Sequence, residues 1–209
     1  MIEQSHQDLH TGLHYLTLLP QAPTQAASAI VYLHGIGERG QDLALVKNYG
    51  LPALVSQSAA VLNCPLFCPQ LEAGLPWEAD RVALFIAGVK KQFQQVALIG
   101  YSWGGSGVCE VVGHFGSVAS LAICIAGQAS AAACVDQTGV RFLAIQGELD
   151  PWPKTAAFVE SVNTRGGIAH SLTLANSGHY ISELAMSLPE VTSLLSSVGI
   201  QVTHHQNAG

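Results

Sequence analysis

The chain has 209 residues, enough for one core of ordinary size, and 8 basic against 14 acidic residues give a net charge of −6 with histidine neutral. Charged residues make up 11% of the chain and hydrophobic ones 49%, against about 25% charged in an ordinary soluble domain. So uncharged a composition raises a membrane segment as the first possibility, while the absence of a basic run that could neutralise a row of phosphates argues against a nucleic-acid partner.

A long stretch without Asp, Glu, Lys or Arg, residues 111–135, fails as a span. Gly113, His114, Gly116, Ser117, Ser120, Gly127, Gln128 and Ser130 interrupt it, and its continuous apolar block, 121–126, has the length of a strand. The first residues lack the basic start and apolar segment of a secretory signal. A cytoplasmic protein without a membrane span is expected. The five cysteines, Cys64, Cys68, Cys109, Cys124 and Cys134, sit in apolar runs with no Cys-x-x-Cys pair, and read as buried thiols in a reducing compartment. His6, His10 and His14 lie in a leader read as extended, where a spacing of four separates side chains by about 13 Å. That is too far for a shared ion, and no metal or cofactor is expected.

In chain order, an early strand over 13–19 is closed by Pro20 and Pro23. Further strand-like runs cover 29–33, 59–62, 96–99, 121–125, 142–145 and 169–174. Helix-length segments lie between them at 42–55, 77–93, 105–115, 154–163 and 181–197. In the second of these, Val82, Phe85, Ile86, Val89 and Phe93 recur at spacings of three and four, the pattern of one face packed on a sheet. Continuous apolar runs alternating with helices predict an α/β fold, a mostly parallel, doubly wound sheet covered on both faces. No repeat, linker or composition shift divides the chain, so 1–209 reads as one domain, with 201–209 a polar tail expected to fray.

In such sheets ligands sit beyond the carboxyl ends of the strands. The residues after successive runs are His34-Gly35-Ile36-Gly37, then 65–77, then Gly100-Tyr101-Ser102-Trp103-Gly104-Gly105, then Gly147-Glu148-Leu149-Asp150-Pro151, then Asn176-Ser177-Gly178-His179. Gly-x-Ser-x-Gly is weak by itself. Here it follows a strand and opens a helix, the setting in which a serine is held on a strained turn with its hydroxyl exposed. Side chains at Gly100 or Gly104 would collide across so tight a turn.

A serine hydroxyl needs a base whose tautomer a third group fixes. His179, in the loop after the last strand, is the candidate base; His170 lies inside a strand and His114 about three helical turns from the serine. Asp150, after a strand end, is the candidate acid, with Glu148 the alternative and Asp136 a solvated residue. The order Ser102, Asp150, His179 is that of α/β-hydrolases. Backbone N–H groups of Trp103 and of Ile36, with Gly35 or Gly37 as alternatives to Ile36, are candidate donors to an oxyanion. Trp77, Trp103 and Trp152 all fall in these junctions, which suggests an aromatic wall around an apolar or aromatic substrate group, with Trp77 and Trp152 as binding residues.

The stretch from Leu33 through His34-Gly35-Ile36-Gly37-Glu38-Arg39-Gly40 to Asp42, the pair Pro69-Gln70 ahead of Trp77, the Ser102 elbow and Gly147-Glu148-Leu149-Asp150-Pro151-Trp152-Pro153 together resemble the phospholipase/carboxylesterase branch of the α/β-hydrolases. Within it they are closest to the predicted peptidase/esterase group with a His-Gly-x-Gly-Glu-Arg-Gly signature. The resemblance covers about residues 25–197. It implies a serine hydrolase that cleaves carboxylic esters with Ser102 as nucleophile, His179 as base, Asp150 as acid, and Ile36 and Trp103 around the oxyanion. Many relatives have Met or Gln where Trp103 stands, which implies a narrower acyl pocket. Glu38 and Arg39 are expected to form a local ion-pair network that holds the oxyanion loop, the other use open to Arg39 being an acidic substrate group. An acyl-thioesterase is the alternative activity, and a catalytically silent binding module the alternative of another class. The expected partner is a small-molecule ester; the oligomeric state is open.

Overall fold

The computed structural model describes residues 1–21, 26–129, 135–152 and 155–205. Pro23, Cys134, Pro153, Lys154 and the last four residues of the tail, all invoked above, lie outside the described residues. The strands are β1 Ile2–Gln7, β2 His14–Leu19, β3 Ser28–Leu33, β4 Ala60–Leu62, β5 Leu66–Gln70, β6 Gln95–Tyr101, β7 Leu121–Ile125, β8 Arg141–Gly147, β9 Ile168–Leu174 and β10 Val202–His204. The α-helices are α1 Gly50–Ser56, α2 Ala79–Lys90, α3 Trp103–Phe115, α4 Ala156–Thr164, α5 Ser182–Met186 and α6 Pro189–Ser196. Short 3-10 turns cover Ile36–Glu38 and Leu43–Lys47.

Eight strands form one sheet in the order β1-β2-β5-β3-β6-β7-β8-β9. It is parallel from β5 to β9 and antiparallel where β1 meets β2 and β2 meets β5. The apolar runs divide by pleat. Ile30, Tyr32, Ala97, Ile99, Ile123 and Ile145 face a core completed by Leu51 and Val55 of α1, Met186 of α5 and Leu195 of α6. Their neighbours Val31, Leu33, Val96, Leu98, Ala122 and Ala144 face a second core, completed by Phe85 and Ile86 of α2, Val108 and Val112 of α3 and Phe158 of α4. Every residue of β3 and β7 is buried, as strands covered on both faces require. Among the described residues no helix is long and apolar enough to cross a membrane.

Several elements differ from expectation. The leader is not a free extended segment: β1 pairs residue for residue with β2, so His6 lies opposite Tyr15 and stacks on its ring at 4.9 Å. The run at 59–62 becomes β4, outside the main sheet and paired with β10, and the sheet strand is instead β5, inside what the sequence suggested was a junction loop. The segment 42–55 splits into a 3-10 turn and α1 because Gly50 takes φ 65°. The segment 181–197 splits at Pro189, which opens α6 at a position where its missing N–H costs nothing. Part of the tail is ordered: Asn63 donates to the Gly199 carbonyl and accepts from the Gln201 N–H, which delivers β10 to β4.

Leu98 is fully buried at the centre of the sheet. Leu98→Ala is expected to cost about 3 kcal/mol of unfolding free energy through lost burial plus the cavity left behind, read from the urea midpoint.

Candidate active site

The turn after β6 is built around a close approach. A Cβ on Gly100 would strike the Gly104 carbonyl, and one on Gly104 would strike the Leu33 carbonyl at the end of β3; on Gly105 it would lie 2.8 Å from the Ile125 oxygen. Ser102 sits at the crest with φ 55° and ψ −114°, a conformation that costs of order 1–3 kcal/mol for a residue with a side chain. It is held there by its own N–H, which donates to the Ile125 carbonyl at 2.8 Å, and by its carbonyl, which accepts from Ser106 N–H at 3.0 Å.

The loops after β8 and β9 are fastened to each other. Glu148 N–H donates to the Leu174 carbonyl at 2.9 Å and Leu149 N–H to the Ser177 carbonyl at 2.8 Å. Gly147 passes so close to Ser177 and Gly178 that a Cβ would collide with both carbonyls. This fastening carries Asp150 beneath His179. Asp150 Oδ2 lies 2.9 Å from His179 Nδ1, and His179 Nε2 lies 2.8 Å from Ser102 Oγ. A carboxylate can only accept, so the neutral imidazole carries its proton on Nδ1 and turns the Nε2 lone pair to the serine hydroxyl. The second Asp150 oxygen accepts the Trp152 N–H at 3.1 Å.

Glu148, the alternative acid, points away from the imidazole and accepts the Asn176 N–H at 2.9 Å, which fixes the loop that leads to His179. Both other candidate histidines are exposed, His170 near the start of β9 and His114 near the end of α3, where it is bonded to the Glu110 carbonyl of its helix. No group of three His, Cys, Asp or Glu side chains among the described residues is arranged to hold a metal ion. The four described cysteines are free and buried, and burial alone pushes the Cys64 thiol up to about 12.

Ile36 and Trp103 line the same cavity of about 360 Å³ as Ser102 and His179. Each opens a helical turn, so its N–H lacks an intrahelical acceptor. Gly35 also borders the cavity, but its N–H is engaged by the Glu38 carboxyl. Behind this loop, His34 Nε2 accepts the Leu71 N–H at 3.0 Å, so Nδ1 carries the proton and donates to the Gly35 carbonyl at 2.6 Å. Gln70 donates to the carbonyls of Glu38 and Asp42, at 2.8 and 2.7 Å. The expected ion pair between Glu38 and Arg39 does not form among the described residues. Glu38 is buried, which raises its carboxyl above the ordinary range, and half-buried Arg39 donates to the Ile36 carbonyl at 3.1 Å.

The tryptophans part company. Trp152, 45% exposed, sets its ring edge-on to His179 at 4.1 Å, and Trp103, 39% exposed, lines the cavity. Trp77 does not reach the Ser102 cavity. It is 5% exposed, its indole N–H donates to the His34 carbonyl at 3.1 Å, and Gly107 makes room for it against α3. It braces the loop that carries Ile36. Tyr101, unflagged by sequence because it occupies the variable position of the serine motif, donates to the His179 carbonyl at 3.4 Å and packs near its ring.

No family model and no curated protein matches the sequence. Solved structures match by shape. A thermostable esterase superposes with a TM-score of 0.71 at 17% identity over 94% of this chain, which spans 62% of that protein's length. Carboxylesterase CesB of Bacillus subtilis gives 0.62 at 12% identity, over 94% of this chain and 93% of that one. Thermogutta terrifontis esterase 2 phosphorylated by paraoxon gives 0.66 at 13% identity, over 94% of both. With the mixed sheet and its two helical layers, these likenesses establish an α/β-hydrolase fold.

Two outcomes test the framework of the site. Burial lowers His34 to about 4, below the ordinary imidazole value of about 6.5. Its contribution to stability is complete above pH 6.5 and is lost as pH falls towards 4, because over that range the unfolded chain takes up the proton and the folded one does not. Urea unfolding is expected to lose about 3 kcal/mol across this window from His34 alone, and His34→Gln should remove that part of the slope. Gly104→Ala, which forces a methyl into the Leu33 carbonyl, is expected to cost about 3 kcal/mol or to abolish folding, read by thermal denaturation.

Proposed function

We propose that this chain is a serine hydrolase that cleaves carboxylic esters of small or medium acyl and alcohol groups through an acyl-enzyme intermediate. The observation that carries this reading is the unbroken hydrogen-bonded run from Ser102 Oγ through His179 to Asp150, on a turn that lifts the serine hydroxyl into a cavity. The esterases that share the fold support the same chemistry, and so does the cavity's size, near the lower end of the range of about 300–1,000 Å³ for small-molecule sites.

In this mechanism Ser102 Oγ attacks the acyl carbon as His179 Nε2 takes its proton, and Asp150 holds the imidazole's orientation and stabilises the imidazolium. The oxyanion accepts from the N–H groups of Ile36 and Trp103, each worth about 3 to 4 kcal/mol in the transition state. His179 then delivers the proton to the departing alcohol. Water, activated by the same nitrogen, attacks the acyl-enzyme, and the proton returns to Ser102 as the acid leaves. Trp152 against the imidazole limits water at the His179–Asp150 bond, and the chemistry calls for no metal or cofactor.

A fluorophosphonate probe is expected to label the protein and to spare Ser102→Ala; equal labelling of that variant would overturn the assignment. With short p-nitrophenyl esters, Ser102→Ala should lower kcat by roughly 10⁶. Asp150→Asn should lower it by roughly 10⁴, by presenting the wrong imidazole tautomer to the serine. Matched oxygen esters and thioesters compared by kcat/KM test the acyl group's natural linkage, with the oxygen esters expected to lead.

A further inference from the structure

A second groove of about 820 Å³ adjoins the Ser102 cavity. The two share Trp103, Ser106 and Gln128, which form the ridge between them. The ridge is tied together: Ser106 Oγ accepts the Gln128 N–H at 2.9 Å, so α3 and the loop after β7 move as one. Trp77 lies along the groove beyond the ridge, and the half-exposed Trp103 indole borders both spaces. The groove's ionisable residues are Glu78 and Asp80 beside the start of α2 and Glu110 and His114 on α3, with no Lys or Arg among the described residues of its lining.

We infer that this groove is the subsite for the remote half of a two-part ester and that it admits neutral or cationic groups and rejects anionic ones. The inference rests on the serine-hydrolase reading above and deepens it. Contact with the Ser102 cavity makes the groove a site: a substrate whose carbonyl lies at Ser102 and whose chain outgrows about 360 Å³ can continue over the ridge. The carboxylates decide only what is admitted. All three are exposed, so each acts at close to the dielectric of water, and a single remote carboxylate facing them is disfavoured by a modest factor, about tenfold, that salt screens. A polyanionic carrier on that half of the substrate would be rejected more strongly, which sets the groove against acyl groups delivered on phosphorylated cofactors.

The test uses two ester series of increasing length. In one, p-nitrophenyl esters end their acyl chains in trimethylammonium, tert-butyl or carboxylate; in the other, acetates of alcohols carry the same three ends. Short members should show little dependence on the end group. In the series whose variable half crosses the ridge, long carboxylate-ended members should fall about tenfold below their tert-butyl counterparts in kcat/KM. That gap should close at high salt and in the triple variant Glu78→Gln/Asp80→Asn/Glu110→Gln. Equal rates for all three ends at every length in both series, or a gap unchanged in the triple variant, would overturn the inference. A readout independent of turnover is the emission lost in Trp103→Phe, which caesium should quench more than iodide once each is scaled to its quenching of N-acetyltryptophanamide, with the preference gone in the triple variant. Equal scaled quenching by the two ions would likewise refute the groove's selectivity. Failure to hydrolyse even short neutral esters, with caesium still preferred, would refute the serine-hydrolase reading alone.

Discussion

The approach of the β6–α3 turn to the end of β3 governs the rest of the molecule. Gly104 lies against the carbonyls of Leu33 and His34 with no space for a single carbon. This contact follows from the register that sets Leu33 opposite Gly100 in adjacent parallel strands. A chain that turns from strand to helix within so little room must put one residue at positive φ, and Ser102 takes that role with its side chain directed away from the crowded side. The same contact brings the first turn of α3 beside the 3-10 turn that begins at Ile36. Two helix starts, each with unsatisfied N–H groups, thereby open onto one cavity.

The loop that carries Ile36 is held from behind by buried polar side chains rather than by packing. His34 bonds to Leu71 and Gly35 through its ring and to Trp77 through its carbonyl, and Gln70 spans Glu38 and Asp42. Bonds of this kind are worth little while satisfied and costly to break, since a buried donor or acceptor left alone forfeits its full solvation. The loop therefore has one arrangement. Donors fixed before a charge develops need no reorganisation as it forms, which is where their value in acyl transfer would lie.

How legible these features are in the sequence follows from what burial imposes on each segment. Strands β3 and β7 are buried throughout and β6 from its second residue on, so their largely apolar runs stand out; Ser102 can be found because it follows β6, and Asp150 because it follows the similarly buried β8, whereas His179 follows β9, an edge strand exposed along much of its length. Strand β1 is exposed along its whole length. Nothing forces alternation on it, and Ile2-Glu3-Gln4-Ser5-His6-Gln7 reads as leader. Strand β5 is disguised by Pro69, a residue with no N–H to give a ladder. Trp77 illustrates another limit: a tryptophan that bounds a substrate and one that braces a loop both occupy strand-to-helix junctions. The difference lies in whether an acceptor such as the His34 carbonyl meets the indole N–H.

The low charge of the chain follows from the same architecture, and so does the use made of the charges that remain. A sheet buried on both faces consumes apolar residues, which leaves few positions for ions. Near the site, several of those ions serve the backbone instead of each other: Glu148 accepts from Asn176, Arg39 donates to Ile36, and Glu183 accepts the Gly50 N–H at 2.6 Å. A single residue, Leu149, separates Glu148 from Asp150, and the turn sends their carboxyls in different directions, one to fasten the loop and one to the imidazole. Were both aimed at His179, two like charges would compete for one proton and raise each other's affinity for it. By spending Glu148 on the loop, the fold leaves a single carboxylate to set the imidazole's tautomer, and at the same time fixes the position of the residue that carries it.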